Sequence, residues 1–258
     1  MLNTESVTIC SLMTSSCTLP FPLPSDEIQV ARQSLTSCIG VRRDWCASRR
    51  LQLIELNTSK TELIWFGTRT SLRRLLYADH TLTIDSMDVQ PTDDVRDLGV
   101  LLDSELTLKH HVNRIASTCF YHLHRLRQLK RYVGVKVMKQ LISSFIFSRL
   151  DYCNALLIGL PFFTIAPLQR VQNAAARLLR GLSRRDHVSP VLKELHWLPV
   201  VYRIQFKLVV VMFTIHTRRY PDYLGDSMQA CNRSGTDLSP LGVKQRLHCS
   251  TDKNEIWR

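Results

Sequence analysis

The feature that most constrains the fold of this chain is a helical repeat of apolar residues that begins at Leu108 and continues for about a hundred residues. Apolar residues recur there every three or four positions, the spacing that gives a helix one buried face. Gly134, Gly159, Gly181 and Pro199 interrupt the repeat and predict the ends of successive helices. The sequence therefore predicts a bundle of four or five helices over residues 108–219.

Each predicted helix carries an apolar stripe that we expect to face the core. Ser189-Pro190 also predicts a short helix through Leu195, with the serine as N-cap and the proline at the first helical position. The predicted core positions are Val112, Ile115 or Ala116, Cys119, Leu123, Leu126, Leu129 and Val133 on the first helix, Met138, Leu141 or Ile142 and Phe145 on the second, Leu168, Val171, Ala174 or Ala175 and Leu178 or Leu179 on the third, and Ile204, Leu208, Val211 and Ile215 on the last.

The chain before residue 108 has a different pattern. Ser25-Asp26-Glu27 provides an N-cap and two first-turn acids for a helix that runs to about Arg49. A period of two then indicates short strands. The predicted strands are Leu51–Leu56, Leu63–Phe66, Thr81–Ile84 and Val95–Leu102.

The predicted fold class is α+β, with one helix and short antiparallel strands over residues 25–107 and a helical bundle over residues 108–219. Residues 1–24 are rich in Ser, Thr and Pro and have no clear period, so we expect a disordered leader. Residues 220–258 carry no periodic pattern either, and we expect a poorly ordered tail.

Positive charge is confined to the predicted bundle. Residues 108–219 contain 19 Lys and Arg against Asp151, Asp186 and Glu194, a net charge of +16, whereas residues 1–107 contain 10 against 14 acids, a net charge of −4. Such a distribution indicates a polyanionic partner, most commonly nucleic acid, although basic helix faces that are simply solvated give the same pattern. The candidate contact residues lie off the apolar stripes: Arg114, Arg125, Lys130, Arg131, Arg170, Arg177, Arg180, Arg184 and Arg185, with rings among them at Tyr121, His122, His124 and Tyr132.

Other classes of protein fit the sequence poorly. The eight cysteines include no C-x-x-C pair, which indicates reduced thiols in an intracellular protein, nuclear or cytoplasmic. The longest apolar run, residues 208–215, is far shorter than the ~20 residues that cross a bilayer, and we expect no membrane partner. A zinc site built from Cys119, His122 and His124 is disfavoured, because a helix spreads these residues over more than one face.

Six strings, taken in order, carry a family resemblance. They are DWCASRRLQL from Asp44, NTSKTE from Asn57, VRDLGVLLDSEL from Val95, SRLDYCNALLIGLP from Ser148, LQRVQNAAARLL from Leu168 and HWLPVVYRIQFKL from His196. Together they resemble the C-terminal half of LINE-type reverse transcriptases of non-LTR retrotransposons, in the jockey-like branch. The resemblance covers residues 24–224.

The resemblance implies the end of a polymerase palm, a primer-grip-like hairpin and a thumb that holds an RNA or DNA template–primer duplex. It places Lys60 near the phosphates of the incoming nucleotide and Leu98 and Gly99 beside the primer end. It also implies a possible second partner, the polymerase portion of the same element that this chain lacks. In physical terms, lysine is a point charge suited to phosphate, and glycine permits close backbone approach.

The catalytic carboxylates of the resembled family do not match residues of this chain. That family binds two metal ions through one Asp of an earlier palm strand and an Asp pair in a Y-A-D-D hairpin, and both should precede Ser25, where Glu5 is the only carboxylate. Tyr77-Ala78-Asp79-His80 is similar to that hairpin but follows the NTSKTE string, so we expect no metal there. Asp93-Asp94, with Asp97 and Asp103 nearby, is interpreted as a solvated turn.

The expected function is therefore that of a truncated RNA-directed DNA polymerase fragment, which binds template–primer nucleic acid but is inactive alone. We expect no catalytic residue and no cofactor in this fragment, since Mg²⁺ belongs to the intact polymerase. The alternatives are a helical nucleic-acid-binding or interaction protein derived from such an element, and a decayed copy with no selected function.

Overall fold

The computed structural model describes residues 5–11, 15–21, 33, 36–41, 44, 48–49, 61–75, 81–84, 87–183, 185–217 and 219. It divides the chain into two compact units, Met1–His111 and Val112–Arg258. The fold is α+β, as the sequence predicts, with strands in the first unit and a run of helices in the second. Residues 33, 36–41, 44 and 48 are helical, within the helix predicted to end near Arg49.

The first unit contains a three-stranded antiparallel sheet with the order β2-β1-β3. Its strands are β1 (Glu5–Ser11), β2 (Ser15–Phe21) and β3 (Thr61–Phe66). Strands β1 and β2 lie within the predicted disordered leader, residues 1–24, and the other residues of that leader lie outside the described residues. The leader's Ser, Thr, Val and Ile residues alternate in β1, and β-branched residues favour strands. Pairing on both sides, with Val7 opposite Leu19 and Trp65, satisfies the backbone of β1.

Two shorter elements and a small hairpin follow β3. Helix α1 spans Arg69–Leu75, and β4 (Leu82–Ile84) pairs with β5 (Met87–Val89) in antiparallel fashion. The strands predicted at residues 63–66 and 81–84 are confirmed, whereas α1 and β5 were not predicted. The strand predicted at residues 51–56 lies outside the described residues.

Residues 95–102, predicted as a strand from their pattern and as part of a hairpin by the family resemblance, lie in a hairpin. Strand β6 (Asp94–Asp97) pairs with β7 (Val100–Asp103), and Leu98 and Gly99 form the two-residue turn between them. Both turn residues have positive φ, 44° at Leu98 and 87° at Gly99, as a tight hairpin turn with the right-handed twist of the strands requires. Leu98 and Gly99 therefore reverse the chain within the stretch whose pattern predicted a strand.

The core of the first unit includes a cluster of side chains from β3 and this hairpin. Ile64, Phe66 and Val95 are buried together, and Leu102 packs against them. The backbone N–H of Gly67 donates to the carbonyl oxygen of Ser104 at 3.0 Å, which joins the end of β3 to the chain just after β7. Apolar packing and backbone hydrogen bonds thus position the Leu98-Gly99 turn.

The second unit is a series of helices, and the first three residues of its first helix, 109–111, belong to the first unit. The helical elements from residue 109 onward are α2 (Lys109–Leu129), α3 (Val135–Ile142), a π-helical turn (Ser143–Phe147), α4 (Ser148–Asp151), a 3₁₀ turn (Asn154–Leu157), α5 (Phe162–Arg180), α6 (Ser189–Glu194) and α7 (Val200–His216). Gly181 ends α5 in the left-handed conformation with φ 74°, as predicted. The N-cap of α6 is Val188 rather than the predicted Ser189, which lies inside the helix with Pro190.

The predicted apolar stripes match the core at most positions. Leu129 and Phe145 are exceptions, with 45% and 40% of their surfaces exposed. Four further predicted core positions are only half-buried: Val133, Leu208, Val211 and Ile215. Leu129 is the last residue of α2, and Phe145 lies in the π-helical turn, whose extra residue per turn shifts the helical phase so that Ile146 and Leu150 face inward. The confirmed buried positions are Val112, Ala116, Cys119, Leu123, Leu126, Met138, Ile142, Leu168, Val171, Ala175, Leu178, Leu179 and Ile204.

Two glutamines of α5 hold the start of α7. Gln172 is fully buried, and its Nε2 donates to the carbonyl oxygen of Leu198 at 2.7 Å. Gln169 Nε2 donates to Gln172 Oε1 at 3.0 Å, and Gln169 Oε1 accepts the backbone N–H of Val200 at 2.9 Å. The first turn of a helix has N–H groups without helical partners, so this side chain acts as a cap for α7. Within the described parts of the chain, no helix has both the length and the apolar character to cross a bilayer.

Candidate nucleic-acid interface

Six of the predicted contact residues in the second unit are exposed. One of them, Arg180, forms an ion pair with Glu194. Among the described residues, no ion pair involves the other five, which are Arg114, Arg125, Arg131, Arg170 and Arg185. Exposed guanidinium groups without an ion-pair partner remain available to bind phosphate oxygens. The guanidinium carbon of Arg131 also lies 5.7 Å from the centroid of the Tyr132 ring, a cation–π contact. Lys60 and Arg184, also predicted as contact residues, lie outside the described residues.

Three other predicted cations lie against groups of the protein itself. Lys130 Nζ lies so close to Gly181, at the end of α5, that a methyl group on that glycine would approach it to 3.1 Å. Arg180 forms an ion pair with Glu194, and Arg177 Nη2 donates a long, 3.5 Å hydrogen bond to the carbonyl oxygen of Asp186. Positive charge at the C-terminal end of a helix is favourable because of the helix dipole. These side chains stabilise the end of α5, so their first role is structural.

The acidic residues of the helical run are all engaged within it. Asp151 forms an ion pair with Arg203, whose Nε donates to Asp151 Oδ1 at 2.9 Å. Asp186 Oδ2 accepts the backbone N–H of Ser183 at 2.7 Å, and Glu194 pairs with Arg180. Residues 108–219 contain these three acids only, so none remains to neutralise the exposed arginines.

The outer face of α2 carries two arginines with a tyrosine ring between them. Arg114, Thr118, Tyr121 and Arg125 follow one another at spacings of four, three and four residues, so they form one stripe along the helix. This stripe lies on the side opposite the buried residues of α2, which include Leu123. Eleven residues separate the two arginines, about 16 Å along the axis at 1.5 Å per residue.

Three rings from two helical elements meet beside this stripe. The centroids of Tyr121 and His122 are 5.5 Å apart in an edge-to-face arrangement, and those of His122 and Phe145 are 5.3 Å apart with an interplanar angle of 23°. Tyr121 has 59% of its surface exposed, and Phe145 is also exposed. We call Tyr121, His122 and Phe145 the ring array.

The surroundings of two side chains on α2, His122 and Cys119, shift their pKa values toward the uncharged form. Burial lowers the pKa of His122 below its usual value, and the nearby positive charge of Arg149 lowers it further. Burial also raises the pKa of the Cys119 thiol to about 11, although Arg149 acts in the opposite direction. At neutral pH the ring array therefore contains a neutral imidazole, and Cys119 is a protonated core thiol.

The cysteine and histidine side chains of α2 do not converge on one site. Cys119 is fully buried, whereas His124 on the same helix is exposed. His110 Nδ1 lies 2.9 Å from Asp94 Oδ2, and His111 Nδ1 accepts a 3.4 Å hydrogen bond from the backbone N–H of Leu101. Over the described ranges of the chain, no group of three or more His, Cys, Asp or Glu residues could hold a metal ion.

The carboxylates near the hairpin have structural partners. Asp103 accepts backbone hydrogen bonds from Thr107 at 2.8 Å and from Leu108 at 2.7 Å, just before α2 begins. Asp94 pairs with His110. These described carboxylates do not fit a two-metal centre, because such a centre needs several of them to converge on the ions. The Tyr77–His80 string lies outside the described residues.

The hairpin turn presents a leucine to solvent. Leu98 has 70% of its surface exposed although its φ of 44° is unfavourable for a residue with a side chain. Gly99 follows with φ 87°. The structure therefore places the two residues that the resemblance assigns to the primer end at the tip of a hairpin in the first unit.

Sequence reasoning missed two exposed apolar surfaces. One is Phe145, whose position depends on the π-helical turn. The other is the outer face of α7, where Phe206, Val209 and Phe213 are exposed at spacings of three and four residues. The sequence does contain a second apolar stripe on α7, on the side opposite Ile204, and this stripe could have predicted the exposed apolar face.

Comparison of the chain with protein-family models, with curated proteins and with solved structures finds no match.

Proposed function

We propose that the second unit binds nucleic acid through its sugar–phosphate backbone. The observation that carries this proposal is the set of five exposed arginines, Arg114, Arg125, Arg131, Arg170 and Arg185, which form no ion pair with the described residues while the acids of the same unit are engaged elsewhere. Lysine and arginine contacts to phosphates supply sequence-independent affinity by releasing condensed counterions. The ligand class is therefore a polyanionic strand, bound with little preference for base sequence.

The resemblance to LINE-type reverse transcriptases suggests which nucleic acid this unit would bind and in what role. By this resemblance the helical unit has the role of a thumb on a template–primer, and the Leu98-Gly99 turn with Lys60 belongs to the primer and nucleotide side. The exposure of Leu98 supports a contact role for the turn. We propose nucleic-acid binding for this chain and no chemical step for its described residues.

Salt dependence tests the proposal. Affinity of the full chain for a fluorescently labelled oligonucleotide would be measured by anisotropy at several salt concentrations. If about five phosphates are contacted, the logarithm of the binding constant should fall with the logarithm of salt concentration at a slope near roughly −4 to −5 on duplex. Binding that does not depend on salt, or no binding at low salt, would remove the proposal.

A matched pair of double variants separates specific contacts from net charge. Arg114→Gln with Arg125→Gln removes two exposed arginines and should reduce the slope by about two. Arg180→Gln with Arg203→Gln removes the same charge from arginines that form ion pairs, and should change the slope much less. Circular dichroism of both variants confirms that they remain folded. Equal effects in the two variants would mean that net charge alone attracts the nucleic acid.

A further inference from the structure

We infer that the ring array of Tyr121, His122 and Phe145 is a stacking platform for unpaired bases, so that single-stranded nucleic acid is the preferred ligand of the second unit. This inference rests on the proposed function and specifies its ligand. The rings lie in contact across α2 and the π-helical turn, with centroid separations of 5.5 Å and 5.3 Å. A continuous array of this kind can receive a flat, apolar ring surface.

Exposure supports this interpretation. Tyr121 and Phe145 leave large parts of their rings in solvent, although a buried position would be more favourable for an aromatic side chain. The π-helical turn is the element that turns Phe145 outward, and single π-helical turns occur frequently at functional sites. Ring faces that remain exposed beside arginines are typical of proteins that bind single strands.

Charge complementarity identifies the ligand as nucleic acid rather than an apolar peptide. Arg114 and Arg125 flank Tyr121 on the same stripe of α2, and both are exposed. They can bind phosphates of a strand that has one base stacked on Tyr121. The lowered pKa of His122 keeps its imidazole neutral at pH 7, so it contributes a ring face rather than a further charge.

The distinction between single strands and duplexes follows from base accessibility. In a duplex the base faces are stacked within the helix, whereas a single strand presents them to aromatic side chains. Duplex binding would therefore use the arginines alone, and single-strand binding would use both the arginines and the rings. Stacking on one aromatic residue is worth roughly a tenfold change in affinity per base.

The experiment compares strand forms on the full chain. The probes are labelled oligothymidylate, oligouridylate, a duplex of the same length and an abasic strand that keeps the phosphates and lacks bases. We expect the two single strands to bind more tightly than the duplex, and the abasic strand to bind about tenfold more weakly than oligothymidylate. Comparing oligothymidylate with oligouridylate also shows whether the chain prefers single-stranded DNA or single-stranded RNA.

Variants then assign the effect to the rings. Tyr121→Ala and Phe145→Ala should each weaken oligothymidylate binding about tenfold and leave duplex binding unchanged, while Tyr121→Phe should retain the affinity. Phe213→Ala, which removes an exposed ring from α7, is the matched control and should have no effect. Equal affinity of the unmodified chain for oligothymidylate and the abasic strand would overturn the inference and leave the proposed function intact. Failure to bind any of the probes would instead reject the proposed function, and the stacking platform with it.

Discussion

The aspartates around the hairpin of the first unit and the exposed arginines of the second unit use their charges in opposite ways. In the first unit, Asp94 pairs with His110 and Asp103 accepts two backbone N–H groups. In the second unit, Arg114, Arg125 and Arg170 extend into solvent with no ion pair among the described residues. A charge that has a partner inside its own unit contributes to stability, whereas an exposed cation on a basic surface contributes to association.

The chemistry of the side chains explains part of this difference. Aspartate is short and acceptor-only, so it readily caps nearby N–H groups in turns, as Asp103 does before α2. Arginine is long, is always charged and presents several donors, so it reaches beyond the helix that carries it. Substitutions in the first unit should therefore change folding more than binding, and substitutions of exposed arginines in the second unit should do the reverse.

The largest expected effect separates the two faces of α2. Leu123→Asp should destabilise the protein by several kcal/mol, because Leu123 is buried and an unpaired carboxylate there lacks solvation. Arg125→Asp, on the exposed face, should change stability by less than about 0.5 kcal/mol while weakening nucleic-acid binding. Urea denaturation of both variants is the measurement. Comparable losses of stability would show that the inner and outer faces of α2 are wrongly assigned.

The second prediction concerns the carboxylate cap of the first unit. Asp103→Ala removes the acceptor of two short backbone hydrogen bonds and should cost about 1–2 kcal/mol of unfolding free energy. Asp93→Ala is the matched control, since Asp93 is exposed and contributes its backbone carbonyl rather than its side chain to the described hydrogen bond with Ser104. Nucleic-acid affinity should not fall in either variant. A larger effect of Asp103→Ala on binding than on melting would place this aspartate in the interface.

The difference between the units also explains what could be predicted from sequence. In α2 and α5 the helical period placed Leu123, Leu126, Leu168 and Val171 correctly, because burial of one helical face is a local property of the sequence. The exposure of Phe145 was not predictable from that period, because it depends on a π-helical turn within a continuous helical stretch. The strands at residues 5–11 and 15–21 were also missed, and the pairing of β1 with β3 joins segments far apart in sequence.

The basic residues of the candidate site could be identified from the sequence, but their contacts in the folded protein could not. The excess of positive charge identified the basic residues, yet sequence alone could not distinguish Arg180, which pairs with Glu194, from Arg170, which is exposed without an ion pair among the described residues. That distinction depends on the approach of α6 to the end of α5. The glutamines that anchor α7, Gln169 and Gln172, carried no sequence signal, because buried amides are recognised only through their partners.

The third prediction concerns the hairpin turn of the first unit. Leu98 adopts a φ of 44°, where asparagine is favoured in hairpin turns and leucine is strained. Leu98→Asn should therefore stabilise the protein by about 1 kcal/mol, whereas Leu98→Val should destabilise it because a β-branched residue tolerates positive φ poorly. Thermal unfolding measures both. If Leu98→Asn stabilises the protein and also weakens template–primer binding, the leucine is kept for contact rather than for folding.

The smallest expected effect concerns the outer face of α7, which is exposed like the arginines of the second unit but is apolar. Phe213 has 58% of its surface exposed, so Phe213→Gln should change the unfolding free energy by less than about 0.5 kcal/mol. Ile204→Gln on the buried face of the same helix should cost about 2–4 kcal/mol, because it places an amide where the core offers no partner. Chemical denaturation at two protein concentrations measures both variants and detects self-association. A loss near 2 kcal/mol for Phe213→Gln would mean that another segment of the chain or a second copy covers this face, since a solvated ring has no packing to lose.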